Sequence, residues 1–186
     1  MRTYDFVHLA MLALNEDICG KTKLQKTIYF LGLLAGCAQE LGYRPHYYGP
    51  YSDDVADAIK RLKAVNFITQ DTTRFGAVND AGFEIARHDF RLTEDGRAIA
   101  TQKAKTDPKL WDRVQSAVKT FKAAGDLDYM RMSVAAKTFF ILEQEGGKAN
   151  AQQISENAKR LGWSPSPAEV DASASFLQRL GLVSTS

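Results

Sequence analysis

The sequence is short of the side chains that most often carry chemistry. Its 186 residues hold only two cysteines and three histidines. Cys19 and Cys37 stand apart with no further ligand pattern, which argues against a disulfide framework or a thiolate metal site. His8, His46 and His88 each lack a partner at the short spacing that a metal or nucleophile site requires, so packing or surface roles are expected of them. No glycine-rich phosphate loop follows a strand. "GKTK" at 20–23 has Asn15 where the first glycine of such a loop would stand, and it follows a helical pattern.

Charge of one sign is lacking too. The 24 basic residues face 22 acidic ones, a formal net charge of +2, so any basic face must be local. Long apolar runs are absent: "TIYFLGLLAGCA" extends over about 12 residues, against the roughly 20 that a membrane-spanning helix needs. The N-terminal apolar stretch is interrupted by Asp5, Asn15, Glu16 and Asp17, unlike a secretory signal. A cytoplasmic protein with reduced cysteines and no membrane partner is expected.

What is present is an ordinary globular composition, 45% apolar and 25% charged. Tyr4, Val7, Leu9, Met11, Leu12 and Leu14 recur at three- and four-residue spacing, which predicts a helix over 3–16 buried on much of its circumference. Thr22 can cap a second helix. Its stripe Leu24, Ile28, Leu31 and Ala35 is widened by Tyr29, Phe30, Leu33 and Leu34. Gly42, Pro45, Gly49 and Pro50 then punctuate an aromatic turn, after which Ser52 is a good N-cap for a helix from Asp53 to near Asn66. "FITQD" and "FEIARHDFRL" read as strands joined by the long polar tip "TTRFGAVNDAG". Thr93 opens a helix through about Thr106, and Pro108 favours a break before another from Leu110 to Ala124. Three more helices are expected, from about Ser133 to Gln144, Asn150 to Leu161 and Ala168 to Leu180.

A weak internal echo runs through the chain. "KTIYFLGLLAG" from Lys26 is similar to "KTFFILEQEGG" from Lys137, and "VADAIKRLKAVNFIT" from Val55 to "VDASASFLQRLGLVS" from Val170. Two copies of a helical unit ending in a strand-like apolar pair would explain it, and so would chance similarity between amphipathic helices.

The expected fold is therefore mainly α with a minor β part. Residues 1–92 form a winged-helix-like unit with a β-hairpin wing, 93–125 are connector helices, and 126–186 form a C-terminal three-helix unit, a degenerate winged helix if the echo is real. In a winged helix the third helix enters the major groove and the hairpin tip reaches the adjacent backbone. Contacts to double-stranded DNA are accordingly expected from Lys21, Lys23 and Lys26, from Ser52, Lys60, Arg61 and Lys63, and from Thr72, Thr73 and Arg74 with Phe75 at the tip. Asp53, Asp54 and Asp57 oppose this, because they bring negative charge to the end of the helix that would meet a polyanion. Lysines at an exposed helix end also serve solubility alone. A second basic stretch, with Arg97, Lys103, Lys105, Lys109, Arg113, Lys119 and Lys122, reads either as a ridge or as a solvated face. Tyr48, Gly49 and Pro50 read as a structural turn.

"KLQKTIYFLG", "YYGPYSDDVADAIKRLKAVNFI" and "LTEDGRAIA", in that order, resemble the YwgA-type family of small prokaryotic winged-helix-like proteins. They are similar, more distantly, to the Panacea domain of SocA-like antitoxins. The resemblance covers roughly residues 20–100 and rests on Lys23, Leu24, Lys26, Tyr48, Gly49 and Pro50. It implies a regulatory or interaction module without enzyme activity or cofactor. In the antitoxin relatives the domain contacts a protein, a toxin or a degradation machine, so the same shape can grip a protein instead of DNA. No toxin-binding motif is matched, and residues from 126 onward lie outside the resemblance. A transcription regulator is the leading expectation and an antitoxin-like or adaptor protein the alternative; a homodimer is compatible with either.

Overall fold

Local capping chemistry sets most of the element boundaries. The structure, a computed structural model, describes residues 2–78 and 84–183, and only the backbone at 75–78 and 84–85. Helix α1 (Thr3–Leu14) ends at Asn15, whose φ of 52° is a left-handed conformation that asparagine tolerates. A two-residue strand β1 (Ile18–Cys19) leads into α2 (Lys21–Leu34). After a 3₁₀ turn at Gln39–Leu41, Ser52 caps α3 (Asp53–Ala64), its Oγ accepting the Val55 N–H at 3.0 Å. Strands β2 (Ile68–Val78) and β3 (Glu84–Leu92) follow.

Thr93 caps α4 (Glu94–Thr106), and Asp107 with Pro108 opens α5 (Pro108–Ala123). Asp128 caps α6 (Tyr129–Gln144), which therefore begins a turn earlier than the apolar pattern from Ser133 suggests. Capping boxes, Asn150 with Gln153 and Ser166 with Glu169, start α7 (Ala151–Arg160) and α8 (Pro167–Arg179). Each such cap is worth about 1 kcal/mol.

The chain is thus mainly helical with a small antiparallel sheet of order β1-β3-β2. β1 went unread in the sequence because two residues carry no periodicity. It pairs Ile18 with Phe90 and Cys19 with Asp89. The hairpin also differs from expectation. Thr72, Thr73 and Arg74 lie within β2, opposite His88, Arg87 and Ala86, because the β-branched threonines extend the pairing beyond the apolar stretch. The turn at 79–83 lies outside the described residues, as does the side chain of Phe75. Leu182 and Val183, the strand-like pair of the second echo copy, form no strand.

One core runs through all three expected segments. α1 packs on α3, α4 and α5, and α2 lies between α5 and α6. Phe30, Phe121 and Phe176 meet ring to ring at 5.5 to 6.4 Å. A smaller cluster of Ile141, Ile154, Ala158, Trp163 and Val170 holds α6, α7 and α8 together. Among the described residues no helix is long and apolar enough to cross a membrane.

Candidate functional site

Lys26 and Gln25 of α2 meet the turn around Gly49 and Pro50 in a buried knot. Lys26 points into the protein with 1% of its surface exposed, and its Nζ donates to the carbonyl of Pro50 at 2.6 Å. Burial, and then repulsion from Lys137, pushes its pKa down to about 7. The neighbouring Gln25 amide donates to Ser52 O at 3.0 Å and accepts from Ser52 N–H at 3.1 Å. Ser133 Oγ donates to Tyr48 O at 2.5 Å, and Trp163 Nε1–H to His46 O at 2.6 Å. Gly49 has φ +95°, and a Cβ there would stand 3.0 Å from Lys137 Cγ. The backbone of the turn is therefore pinned by side chains of α2 and α6 and by Trp163. The side chains of Tyr47 and Tyr48 remain 72% and 51% exposed.

This corrects two expected surface contacts. Lys26 and Ser52 are buried, the first because its stem passes through the core beside α6, the second because its hydroxyl is consumed as the α3 cap and as a donor to Leu41 O. Neither side chain can meet a duplex. Lys23 turns toward the loop before α6, where it pairs with Asp126 at 2.8 Å. The guanidinium of Arg61 lies 5.1 Å from the centre of the Tyr4 ring on α1.

Other residues do converge. Gly20, at the start of α2, donates its N–H to His88 O at 2.9 Å, fixing that helix end against β3. The register sets Thr72 opposite His88, with Gln70 one step closer to the core on the same face. Lys63, from the last turn of α3, donates to Gln70 Oε1 at 2.6 Å. Gln70 Nε2 lies 2.9 Å and Thr72 Oγ1 3.0 Å from His88 Nδ1. Burial and then the charges of Lys21 and Lys63 hold the His88 pKa below its ordinary value, against a smaller opposing pull from Asp89. Lys21, Lys63, Gln70, Thr72 and His88 thus share one polar, cationic patch at the root of the hairpin, and Lys60 is exposed one turn before Lys63.

Thr73 belongs to the opposite face, paired with Arg87, in a region where Asp17 pairs with Arg91 and Asp89 with Arg87. Arg74 is exposed opposite Ala86 on the Thr72 face. Gln70 and His88 escaped the sequence reading because only the cross-strand register joins them to Lys63. Alternation along "FITQDTT" places Gln70 and Thr72 together, but nothing local says that His88 stands opposite.

Part of the second basic stretch is used inside the molecule, while Lys105, Lys109 and Lys119 are exposed. Arg113 donates to Ala35 O and Gly36 O at the end of α2, Lys122 to Leu14 O at the end of α1, and Lys103 pairs with Asp5. Cations at helix C-termini neutralise orphan carbonyls and the negative end of the dipole. Among the described residues no group of three or more histidine, cysteine, aspartate or glutamate side chains could hold a metal ion. No family model and no curated protein matches the chain.

Proposed function

We propose that the protein is a non-enzymatic regulator whose N-terminal unit acts as a winged helix on double-stranded DNA. The observation that carries this reading is the patch of Lys21, Lys63, Gln70, Thr72 and His88, where two helices and the hairpin present donors at one place. The element order supports it as well: helix, short strand, helix, helix and hairpin, with sheet order β1-β3-β2. Lysines from two elements suit phosphate oxygens, and such contacts position a protein without reading sequence. The test is fluorescence anisotropy with a labelled duplex from the protein's own upstream region and a scrambled control, titrated with salt. Binding whose logarithm falls linearly with log salt is expected. Absence of binding at low salt would overturn the reading.

A second reading, an antitoxin-like or adaptor protein, is favoured by two specific features. α3 opens with the exposed Asp53, Asp54 and Asp57, which repel a phosphate backbone. Tyr47 and Tyr48 project from a pinned turn, an arrangement that loses little entropy on contact with a protein. Under this reading Tyr47→Ser with Tyr48→Ser disrupts function while Lys21→Glu with Lys63→Glu spares it. The DNA reading requires the reverse.

A further inference from the structure

The patch at the hairpin root contains a relay with a fixed direction. A lysine ammonium only donates, so the Gln70 atom that Lys63 Nζ approaches at 2.6 Å must be the carbonyl oxygen. The amide nitrogen of Gln70 is then committed to His88, and an amide nitrogen also only donates. His88 Nδ1 must therefore accept, with the Thr72 hydroxyl sharing the same lone pair from 3.0 Å. A neutral ring with Nδ1 unprotonated carries its proton on Nε2. Nε2 has no hydrogen-bond partner among the described residues, and neither has Lys21 Nζ. Lys63 uses one of its three donors on Gln70.

Resting on the DNA reading, we infer that His88 is a phosphate-gripping residue that works as a neutral donor, its Nε2–H held outward by Lys63 and Gln70 beside the ammonium groups of Lys21 and Lys63. Every free group there is a donor, so the ligand atom is an anionic oxygen. The chemistry fits a phosphodiester of the duplex backbone and equally inorganic phosphate. Protonating Nδ1 would require the Gln70 amide to turn over and set its NH₂ against the Lys63 ammonium. The charged groups around the ring, Lys21 from α2, Lys63 from α3 and Asp89 from β3, leave a net positive surrounding that also opposes an imidazolium. The grip therefore holds without His88 adding a charge of its own.

The test uses the full chain. In ¹⁵N-histidine-labelled protein at pH 7.5, long-range correlations, with signals assigned from single histidine variants, are expected to show His88 protonated on Nε2 only. An Nδ1–H tautomer or an imidazolium would overturn the inference. With the duplex, His88→Ala is expected to weaken binding about ten- to a hundredfold, the worth of one hydrogen bond from a neutral donor to a charged oxygen. The salt slope should stay unchanged, because no counterion is released on account of a neutral group. Lys63→Ala should lower that slope by about 0.9. Wild-type affinity in His88→Ala overturns the grip while leaving the DNA reading intact. If the wild-type protein binds no duplex, the DNA reading has failed, and inorganic phosphate decides the anion site alone: a shift of the His88 Nε2 signal that Lys63→Ala abolishes supports it, and no shift overturns it. Far-ultraviolet circular dichroism and thermal melts establish that the half-exposed substitutions leave the fold in place.

Discussion

Replacing Lys26 by methionine keeps the volume and flexibility of the side chain while deleting its amino group from the knot. In the folded protein burial holds this lysine near pKa 7, against 10.5 in the unfolded chain. Between those values the unfolded state binds more protons than the native state, so raising the pH stabilises the wild-type protein. The stability is fully present above about pH 10.5 and is lost as the pH falls through about 7. The gap amounts to about 5 kcal/mol in all, and about 1.4 kcal/mol for each pH unit within the window. Lys26→Met leaves Pro50 O without its donor, a loss of about 1–3 kcal/mol that does not vary with pH. Urea unfolding of both proteins at pH 7.5, 8.5 and 9.5 separates the two contributions. The stability of wild type relative to Lys26→Met should climb by roughly 1 kcal/mol per pH unit. A difference that stays flat across this range would refute the placement of Lys26 in a dry interior. Lys137, whose pKa is also held down by burial, is present in both proteins and largely cancels.

His8 is wholly buried, with Nε2–H donating to Gly96 O at 2.8 Å and Nδ1 without a partner, and its pKa is pushed down to about 4. Here the native state refuses a proton that the unfolded chain accepts, so stability falls from about pH 6.5 toward 4 by about 3 kcal/mol; comparing unfolding midpoints with His8→Leu at pH 7 and 4.5 should show the wild type losing more. Gly96→Ala would set a Cβ 2.0 Å from Phe67 O and should cost more than about 3 kcal/mol or prevent folding, read from the urea midpoint. Gly49→Ala combines φ +95° with a 3.0 Å approach to Lys137 Cγ; a loss of about 1–3 kcal/mol and a changed Trp163 fluorescence are expected, because that indole anchors the same turn. Lys23→Ala breaks an ion pair with the largely exposed Asp126, so stability should change by less than about 1 kcal/mol, and duplex affinity should hold, since this side chain faces away from the hairpin root.

Helix positions were legible because their signals are local. Ser52, Thr93 and Asn150 each accept from a backbone N–H three residues on, and Pro108 stands where its missing N–H costs nothing. The apolar spacing of α1 and α3 reports the buried face of each without reference to a partner. The same local logic found the turn at Tyr48-Gly49-Pro50, whose glycine needs a positive φ. It misjudged the lysines of α2, because three lysines on one helix end look alike in a sequence.

What the sequence by itself determined is the existence and rough placement of helices α1 to α8 and of the two hairpin strands: the caps, the periodicity and the turn glycines act within a few residues of one another. The tertiary structure alone decided that Lys21 faces the hairpin, Lys23 turns to Asp126 and Lys26 enters the core, since those fates depend on α6 and β3 far along the chain. It also decided the pairing of Thr72 with His88 and the approach of Lys63 to Gln70. A strand displaced by one residue would send His88, Phe90 and Leu92 together to the opposite face, and burial of Ile68, Phe90 and Leu92 against the helices forbids that.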